Sequence, residues 1–307
     1  MKLIGIMPVR NEGWCLGLTA RAALMWCDQI VLWMHACTDR SEDIADQIAS
    51  EYPKRVEIDG VDDPQWAEMA HRQAMLAAAR ERGATHIAMI DADEILSGNL
   101  RRSALCWFIE SMPPGTVLQL PWLALPRTTD RYITSGIWGP GQQVSMAFKD
   151  LPAAHWAARG AEGYDFHHRN PMGIGRNFSA PLKPEQGGLL HLQFLSERRL
   201  RAKQALYQAT EVLRWPPPRI VEGKLCASKA ELAERLAWMY GRAVYDSHPK
   251  GCATAAVPLD WWLPYAHLMS YLDLSEDKAP WQETELKRLI AEHGREKFAG
   301  LDFFEVV

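Results

Sequence analysis

Two aspartates one residue apart carry the strongest chemical signal in the 307-residue chain. Asp91 and Asp93 directly follow the apolar run at 86–90, which is typical of a buried strand. Two carboxylates this close repel each other unless protons or a cation lie between them. Hard divalent ions take oxygen ligands and bridge to substrate phosphates. The pair therefore indicates a Mn²⁺ or Mg²⁺ site; the alternative is a helix-capping aspartate at a surface turn.

The elements that must position this pair alternate between strands and helices. Strands are predicted at 3–7, 29–34, 55–58 and 86–90, and helices at 13–26, 41–50 and 65–82. This order predicts an α/β fold with a mainly parallel sheet covered by helices on both faces. Ligands of such sheets bind beyond the carboxyl ends of the strands. Polar clusters at 10–12, 35–39 and 91–94 follow three of the strands, so we expect them at one edge.

Four short motifs occur in order along residues 3–96: Pro8-Val9-Arg10-Asn11-Glu12, Cys37-Thr38-Asp39, His71-Arg72-Gln73 and Ile90-Asp91-Ala92-Asp93-Glu94. Their order and spacing resemble the nucleotide-binding half of family 2 glycosyltransferases, which have the Rossmann-like GT-A fold. The resemblance implies a metal-dependent glycosyltransferase (EC 2.4 class) with a nucleoside-diphosphate sugar as donor, a UDP-sugar being expected. It also favours direct, inverting transfer to an acceptor hydroxyl. The Q-x-x-R-W signature of processive members is absent from the sequence, so the chain is expected to be non-processive.

The same resemblance implies the residues that hold the donor. They are Pro8, Val9, Arg10, Asn11, Glu12, His35, Arg72, Asp91 and Ala92. Asp93 is expected to bind the metal that bridges the diphosphate, and Asp91 to lie near the ribose and the metal. His35 stands where the family often has an acidic residue, so the identity of the nucleobase is open. Gln73 replaces the usual asparagine.

A late histidine is a further candidate metal ligand. His191 stands just before a basic helix predicted at 196–214, and some GT-A enzymes supply a histidine in this way. The alternative is a core histidine among leucines. Arg199 and Lys203 of the basic helix are expected to neutralise the leaving diphosphate, where charge develops in the transition state. An exposed helix face is the alternative for at least two of the helix's four cations Arg198, Arg199, Arg201 and Lys203.

The catalytic base is expected at 155–187, a stretch predicted to cover the donor. It lies within an irregular segment at 124–187, which is rich in glycine, proline and aromatic residues and too long for an ordinary connection. An inverting transfer needs a carboxylate or histidine that accepts the proton of the acceptor hydroxyl. Asp165 is the preferred candidate, followed by Glu162.

The remaining sequence features concern organisation. A GT-A catalytic domain is predicted at 1–215, with a nucleotide-sugar-binding half at 1–112 and an acceptor and metal half at 113–215, followed by a helical C-terminal extension at 216–307. The net charge of −4 gives no global indication of nucleic-acid binding. The six cysteines form no C-x-x-C pair, and no apolar run is long enough to be a transmembrane segment. A cytoplasmic location is expected.

Two other functional classes stay open. A sugar nucleotidyltransferase also uses acidic metal ligands, but it usually carries a glycine-rich, basic phosphate loop, which residues 8–12 lack. A non-catalytic nucleotide-sugar-binding protein would show no donor turnover. The acceptor is also open, since a glycan, a lipid, a protein or a hydroxylated DNA base would each supply a hydroxyl group.

Overall fold

The structure is a computed structural model that describes residues 1–65, 67–100, 102–139, 141–157, 169–180, 182–214, 217–221, 223–245, 250–275 and 280–307. The chain divides into two compact units. The first comprises residues 1–123, 140–192 and 257–273, and the second comprises residues 124–139, 193–256 and 274–307. The predicted domains at 1–215 and 216–307 stay a prediction.

The described residues form strands and helices in the following order. The strands are β1 (Leu3–Val9), β2 (Gln29–His35), β3 (Val56–Val61), β4 (His86–Met89), β5 (Glu94–Leu96), β6 (Thr116–Ala124), β7 (Arg131–Ile133), β8 (Gln143–Lys149), β9 (Arg176–Ser179), β10 (Leu189–His191), β11 (Arg219–Val221), β12 (Lys224–Cys226) and β13 (Thr254–Ala256). The helices are α1 (Gly13–Leu24), α2 (Ser41–Glu51), α3 (Glu68–Glu81), α4 (Arg102–Ser111), α5 (Glu197–Arg214), α6 (Lys229–Tyr240), α7 (Arg242–Tyr245), α8 (Leu259–Trp262) and α9 (Trp281–His293).

One large sheet has the strand order β3-β2-β1-β4-β8-β6-β10-β5, with β9 paired to β6. The strands β3, β2, β1 and β4 run parallel to one another. β8 is antiparallel to both β4 and β6, so β6 runs in the same direction as β4. The predicted α/β class with a largely parallel sheet is confirmed. The insertion of β8 between β4 and β6 was not predicted, because residues 143–149 lie in the segment that shows no clear period.

Helices cover both faces of this sheet. Successive side chains of a strand point to opposite faces, so strands that are apolar throughout give the sheet two apolar faces. On β1, Leu3 and Met7 pack in a core with residues of α1, α2 and α4. Ile4 and Ile6 point the other way and pack in a second core with residues of α3. These side chains are fully buried, as expected for a sheet with helices on both faces.

A C-terminal segment belongs to the first unit as well. Trp261 is 1% exposed, and its carbonyl oxygen accepts a hydrogen bond from Gly98 N–H at 2.8 Å. Tyr265 donates from its hydroxyl to the Leu96 carbonyl oxygen at 2.8 Å. A Cβ on Gly98 would lie 2.7 Å from Pro264, so glycine permits this close approach. These contacts fix the chain directly after β5.

The second unit is mainly helical and contains α5, α6, α7 and α9. Its core includes Ala124, Ile133, Phe194 and Leu200. It also contains two small antiparallel strand pairs, β7 with β13 and β11 with β12.

Candidate functional site

The ends of β1, β2 and β4 meet at one edge of the sheet. Ile6 of β1 lies between Val31 of β2 and Met89 of β4 in parallel register. The segments that follow the three strands therefore leave the sheet at the same edge, as the sequence predicted. Pro8 and Val9, at the end of β1, belong to this edge, and Val9 is 1% exposed.

The side chain of Asn11 joins the end of β1 to the end of β2. Its Oδ1 accepts hydrogen bonds from the backbone N–H groups of Thr38 at 2.6 Å and of Asp39 at 3.1 Å. Asn11 is buried and has φ 56°, in the left-handed region that asparagine tolerates better than most residues. Asp39 extends the connection, because its Oδ2 accepts from Gly13 N–H at 3.0 Å. Asn11 and Asp39 therefore hold two strand ends and the start of α1 together.

Asn11→Ala is expected to lower the free energy of unfolding of the ligand-free chain by about 2–4 kcal/mol. The variant removes the acceptor of two backbone N–H groups and places alanine in the left-handed region. Urea denaturation measures the loss. Asn11→Asp keeps the acceptor and the backbone preference, so it should lose less than half as much; an equal loss would contradict this account.

His35 ends β2 and is 2% exposed. Its Nε2 lies 3.1 Å from the Asp63 carbonyl oxygen, and its ring meets His71 edge-on with centroids 4.5 Å apart. Burial, with the positive charge of Arg10 and the neighbouring His71, lowers the pKa of His35 to about 4. His35 is therefore neutral near pH 7. A neutral imidazole both donates and accepts hydrogen bonds, whereas a carboxylate at this position would only accept them.

This low pKa makes the stability of the fold depend on pH. The unfolded chain takes up a proton at His35 below about pH 6.5, and the folded chain resists it down to about pH 4. We expect the free energy of unfolding to fall between those values by at most about 3 kcal/mol from this group, and no further below them. Urea titrations across the range should show a smaller loss in His35→Gln than in the wild type. Identical pH profiles would refute the assignment.

Asp91 is held by two arginines. Arg72 of α3 donates from Nη2 to Oδ1 of Asp91 at 3.2 Å, and Arg169 donates from Nη1 to Oδ2 at 3.1 Å. Arg169 also binds both oxygens of Glu94, at 2.9 and 2.6 Å. Nε of Arg72 donates to Glu68 at 2.8 Å. The five side chains form a row of alternating charge, with Asp91 at its centre.

The charges in this row stabilise one another. Burial by itself raises the pKa of Asp91, but Arg169 and Arg72 outweigh this effect and hold the pKa below its ordinary value. Burial raises the pKa of Glu94, and Arg169 opposes the rise. Burial also disfavours the charged form of the arginines, but the adjacent carboxylates raise the pKa of both. Both cations and Asp91 are therefore ionised at neutral pH.

Asp93 turns away from this row and faces His191. Its Oδ2 lies 3.4 Å from Nε2 of His191, and both residues are 6% exposed. His191 stacks on Trp122 with ring centroids 4.4 Å apart and an angle of 17° between the planes. The main chain fixes the pair, since Leu192 N–H donates to the Asp93 carbonyl oxygen at 2.8 Å. Residues separated by about 100 positions are thus brought together.

These residues fit a divalent ion that takes its other ligands from a diphosphate and water, as Mg²⁺ commonly does. No group of three or more His, Cys, Asp or Glu side chains suited to a metal occurs in the described part of the chain. Both oxygens of Asp91 accept hydrogen bonds from arginines. Asp93 and His191 are therefore the protein ligands that fit best, and a metal role for Asp91 stays a prediction.

Three other residues of the predicted donor site make contacts within the protein. The Ala92 carbonyl oxygen accepts from the Thr19 hydroxyl of α1 at 2.7 Å. Arg10 donates from Nη1 to a backbone carbonyl at 3.0 Å. Glu12 accepts from the indole N–H of Trp14 at 2.6 Å. Their roles toward a donor stay predictions.

Arg199 and Lys203 are on α5 in the second unit, where Arg199 is 7% exposed and donates from its backbone N–H to Ser196 Oγ at 3.0 Å. Asp165 and Glu162, the candidate bases, lie outside the described residues.

Sequence reasoning did not identify Arg169 as a site residue. It stands 78 residues after Asp91 and 75 after Glu94, and no local pattern connects these positions. An indirect signal was present: three carboxylates at 91–94 require compensating positive charge if they are buried.

The chain resembles several solved structures in its fold. No protein-family model and no curated protein sequence matches it. Among solved structures it is similar to S. aureus TarS 1–349, with 12% identity over 97% of this chain and 88% of that one, at a TM-score of 0.42. TarS 1–349 in complex with UDP is 10% identical, with 97% and 89% covered, at the same TM-score.

A third solved structure matches a smaller part of the chain. Glucosyl-3-phosphoglycerate synthase from Mycobacterium tuberculosis, in complex with Mn²⁺, UDP and glucosyl-3-phosphoglycerate, is 18% identical over 41% of this chain and 44% of that one, at a TM-score of 0.28.

No helix in the described ranges combines the length and the apolar character needed to cross a bilayer.

Proposed function

We propose that the chain is a metal-dependent glycosyltransferase that transfers a sugar from a nucleoside-diphosphate sugar to an acceptor hydroxyl. UDP is the nucleotide we expect. The observation that carries the proposal is the Asp93–His191 pair, whose Oδ2 and Nε2 atoms are 3.4 Å apart. Asp93 follows β4, whose end meets those of β1 and β2 at one edge of the sheet. That edge is where open α/β sheets bind their ligands.

Different residues at this edge would bind the diphosphate, the ribose and the nucleobase of the donor. Mn²⁺ or Mg²⁺ held by Asp93 and His191 would supply Lewis-acid stabilisation to the diphosphate. Asp91 is ionised and fixed by Arg72 and Arg169, which suits it to accept hydrogen bonds from ribose hydroxyls. The neutral imidazole of His35 suits a nucleobase. Arg199 and Lys203 stay proposed contributors of positive charge on the basis of the sequence.

The acceptor hydroxyl must lose a proton during transfer, and we assign this role to Asp165 with Glu162 as the second candidate. Arg169, four residues after Asp165, is bonded to Asp91 and Glu94. Four residues span at most about 14 Å, so the chain length allows Asp165 to reach the same edge. Direct inverting displacement then needs one base, on the face of the sugar opposite the leaving diphosphate.

The proposal is tested first by ligand-dependent thermal stability with Mn²⁺. A nucleoside diphosphate at about 100 times its dissociation constant adds about 2.7 kcal/mol of stability, and the same compound without metal should add much less. The best nucleotide is then supplied as its sugar conjugates, and donor hydrolysis is measured. Stabilisation without hydrolysis or transfer would indicate a binding protein. Stabilisation by nucleoside triphosphates and sugar phosphates instead would indicate a nucleotidyltransferase.

A further inference from the structure

Arg169 lies within the carboxylate cluster with every guanidinium N–H group engaged. Nε donates to the Ser145 carbonyl oxygen at 2.7 Å. Nη1 donates to Asp91 at 3.1 Å and to Glu94 at 2.9 Å, and Nη2 donates to Glu94 at 2.6 Å and to the Met89 carbonyl oxygen at 2.6 Å. A guanidinium has five N–H donors, and these contacts use all five.

The acceptors of Arg169 come from strands that the sheet separates. Met89 ends β4 and Glu94 begins β5, yet β8, β6 and β10 lie between these two strands in the sheet. The short segment 90–93 must therefore cross from one strand to the other. Arg169 holds both ends of that crossing, and through Ser145 it also holds β8.

Hydrogen bonds between Asp91 and Glu94 also stabilise the crossing segment. Glu94 N–H donates to the Asp91 carbonyl oxygen at 3.0 Å, and Asp91 N–H donates to Oε2 of Glu94 at 3.0 Å. Because Glu94 is 0% exposed, its carboxylate depends on Arg169 for compensating charge. Removing the partner of a buried charge is strongly destabilising locally. The conformation that presents Asp93 to His191 therefore depends on Arg169.

We propose that Arg169 is the positioning residue of the donor site. It fixes the turn at 91–93 through Glu94 and the two strand ends, so that Asp93 faces His191, and it does so without contacting the donor or the metal. This inference rests on the proposed function. In this account Arg169 fixes the orientation of Asp93.

The test compares Arg169→Ala with a matched control, Arg80→Ala. Arg80 is in the same unit and also makes several hydrogen bonds, to Asp150 and to the carbonyl oxygens of Leu151 and Ala154, at 2.7–2.9 Å. UDP binding in the presence of Mn²⁺ is measured by calorimetry at a temperature where each variant is folded. Mutation of residues that orient metal ligands typically lowers metal affinity by about 10–100-fold. We expect Arg169→Ala to lose UDP affinity in the presence of Mn²⁺ by about this factor. Arg80→Ala should stay within about twofold of the wild type, well short of that range.

Two further measurements separate positioning from general stability. Guanidinium chloride, far below concentrations that unfold the chain, should restore UDP binding to Arg169→Ala and leave Arg80→Ala unchanged. Arg169→Lys keeps the charge but not the planar fork of donors, so it should bind UDP more weakly than the wild type. It also provides the test if the alanine variant does not fold.

Several outcomes would overturn the inference. These are wild-type affinity in Arg169→Ala or Arg169→Lys, or an equal loss in Arg80→Ala. If the wild type itself binds no nucleoside diphosphate with Mn²⁺, the proposed function is refuted, and the role of Arg169 is refuted with it.

Discussion

Replacing Asp93 with alanine is expected to abolish metal-dependent turnover of the donor while the chain stays folded. Lewis-acid stabilisation of a leaving phosphate is worth several kcal/mol, so we expect a loss of about 10²–10³-fold or more. The fold should persist because the hydrogen bond from Leu192 N–H to residue 93 uses the main-chain oxygen. Steady-state donor turnover and Mn²⁺-dependent nucleotide binding should fall together.

A matched control for this variant is Asp28→Ala. Asp28 precedes β2 at the opposite edge of the sheet, where its carboxylate accepts from Leu3 N–H at 2.8 Å. Its removal changes the net charge by the same amount, and turnover should be retained at temperatures where the variant is folded. Normal metal-dependent turnover in Asp93→Ala would show that the metal assignment is wrong.

Asp165→Asn is expected to bind the donor with near-normal affinity and to lose about 10²–10⁴-fold in transfer rate. Asparagine keeps the size of the side chain but cannot accept a proton at neutral pH. Single-turnover transfer, measured beside donor binding on the same preparation, separates these two effects. A loss that appears equally in donor binding would make Asp165 a ligand or a structural residue.

A second variant, Glu162→Gln, distinguishes between Asp165 and Glu162 as the catalytic base. If Asp165 is the base, Glu162→Gln should transfer at close to the wild-type rate. A normal rate in Asp165→Asn with a slow Glu162→Gln would give the role to Glu162. Normal rates in both variants would point to a histidine or to a retaining mechanism that needs no such base.

The parallel half of the fold was predictable because its signals are local. The apolar runs that became β1, β2 and β4 are bounded by helix-forming segments, and this alternation predicts a parallel sheet and the edge at which such sheets bind ligands. The expectation that the first two polar clusters converge is confirmed by the contact between Asn11 and Asp39. These inferences needed only periodicity and a general rule about sheet edges.

The partners of Asp91 and Asp93 in the candidate site depend on contacts that sequence spacing does not encode. Asp91 and Asp93 are one residue apart, and their spacing predicted one shared metal site. In the structure the turn directs Asp91 to two arginines and Asp93 to His191. Which carboxylate meets which partner is decided by a crossing between distant strands and by Arg169, and neither feature has a signature near residue 91.

The position of β8 in the sheet has a consequence for how the protein is made. When the ribosome has synthesised β1 to β4, β4 is still an unpaired edge, because β8 comes about 60 residues later. Arg169 follows Asp91 by 78 residues, an interval of about 4–16 s at typical rates of synthesis. During that interval the nascent chain carries an open strand edge and carboxylates without their main counter-charge. The proposed donor site is therefore among the last features of the sheet to form, and a fragment ending near residue 112 lacks both the strand and the cation that complete it.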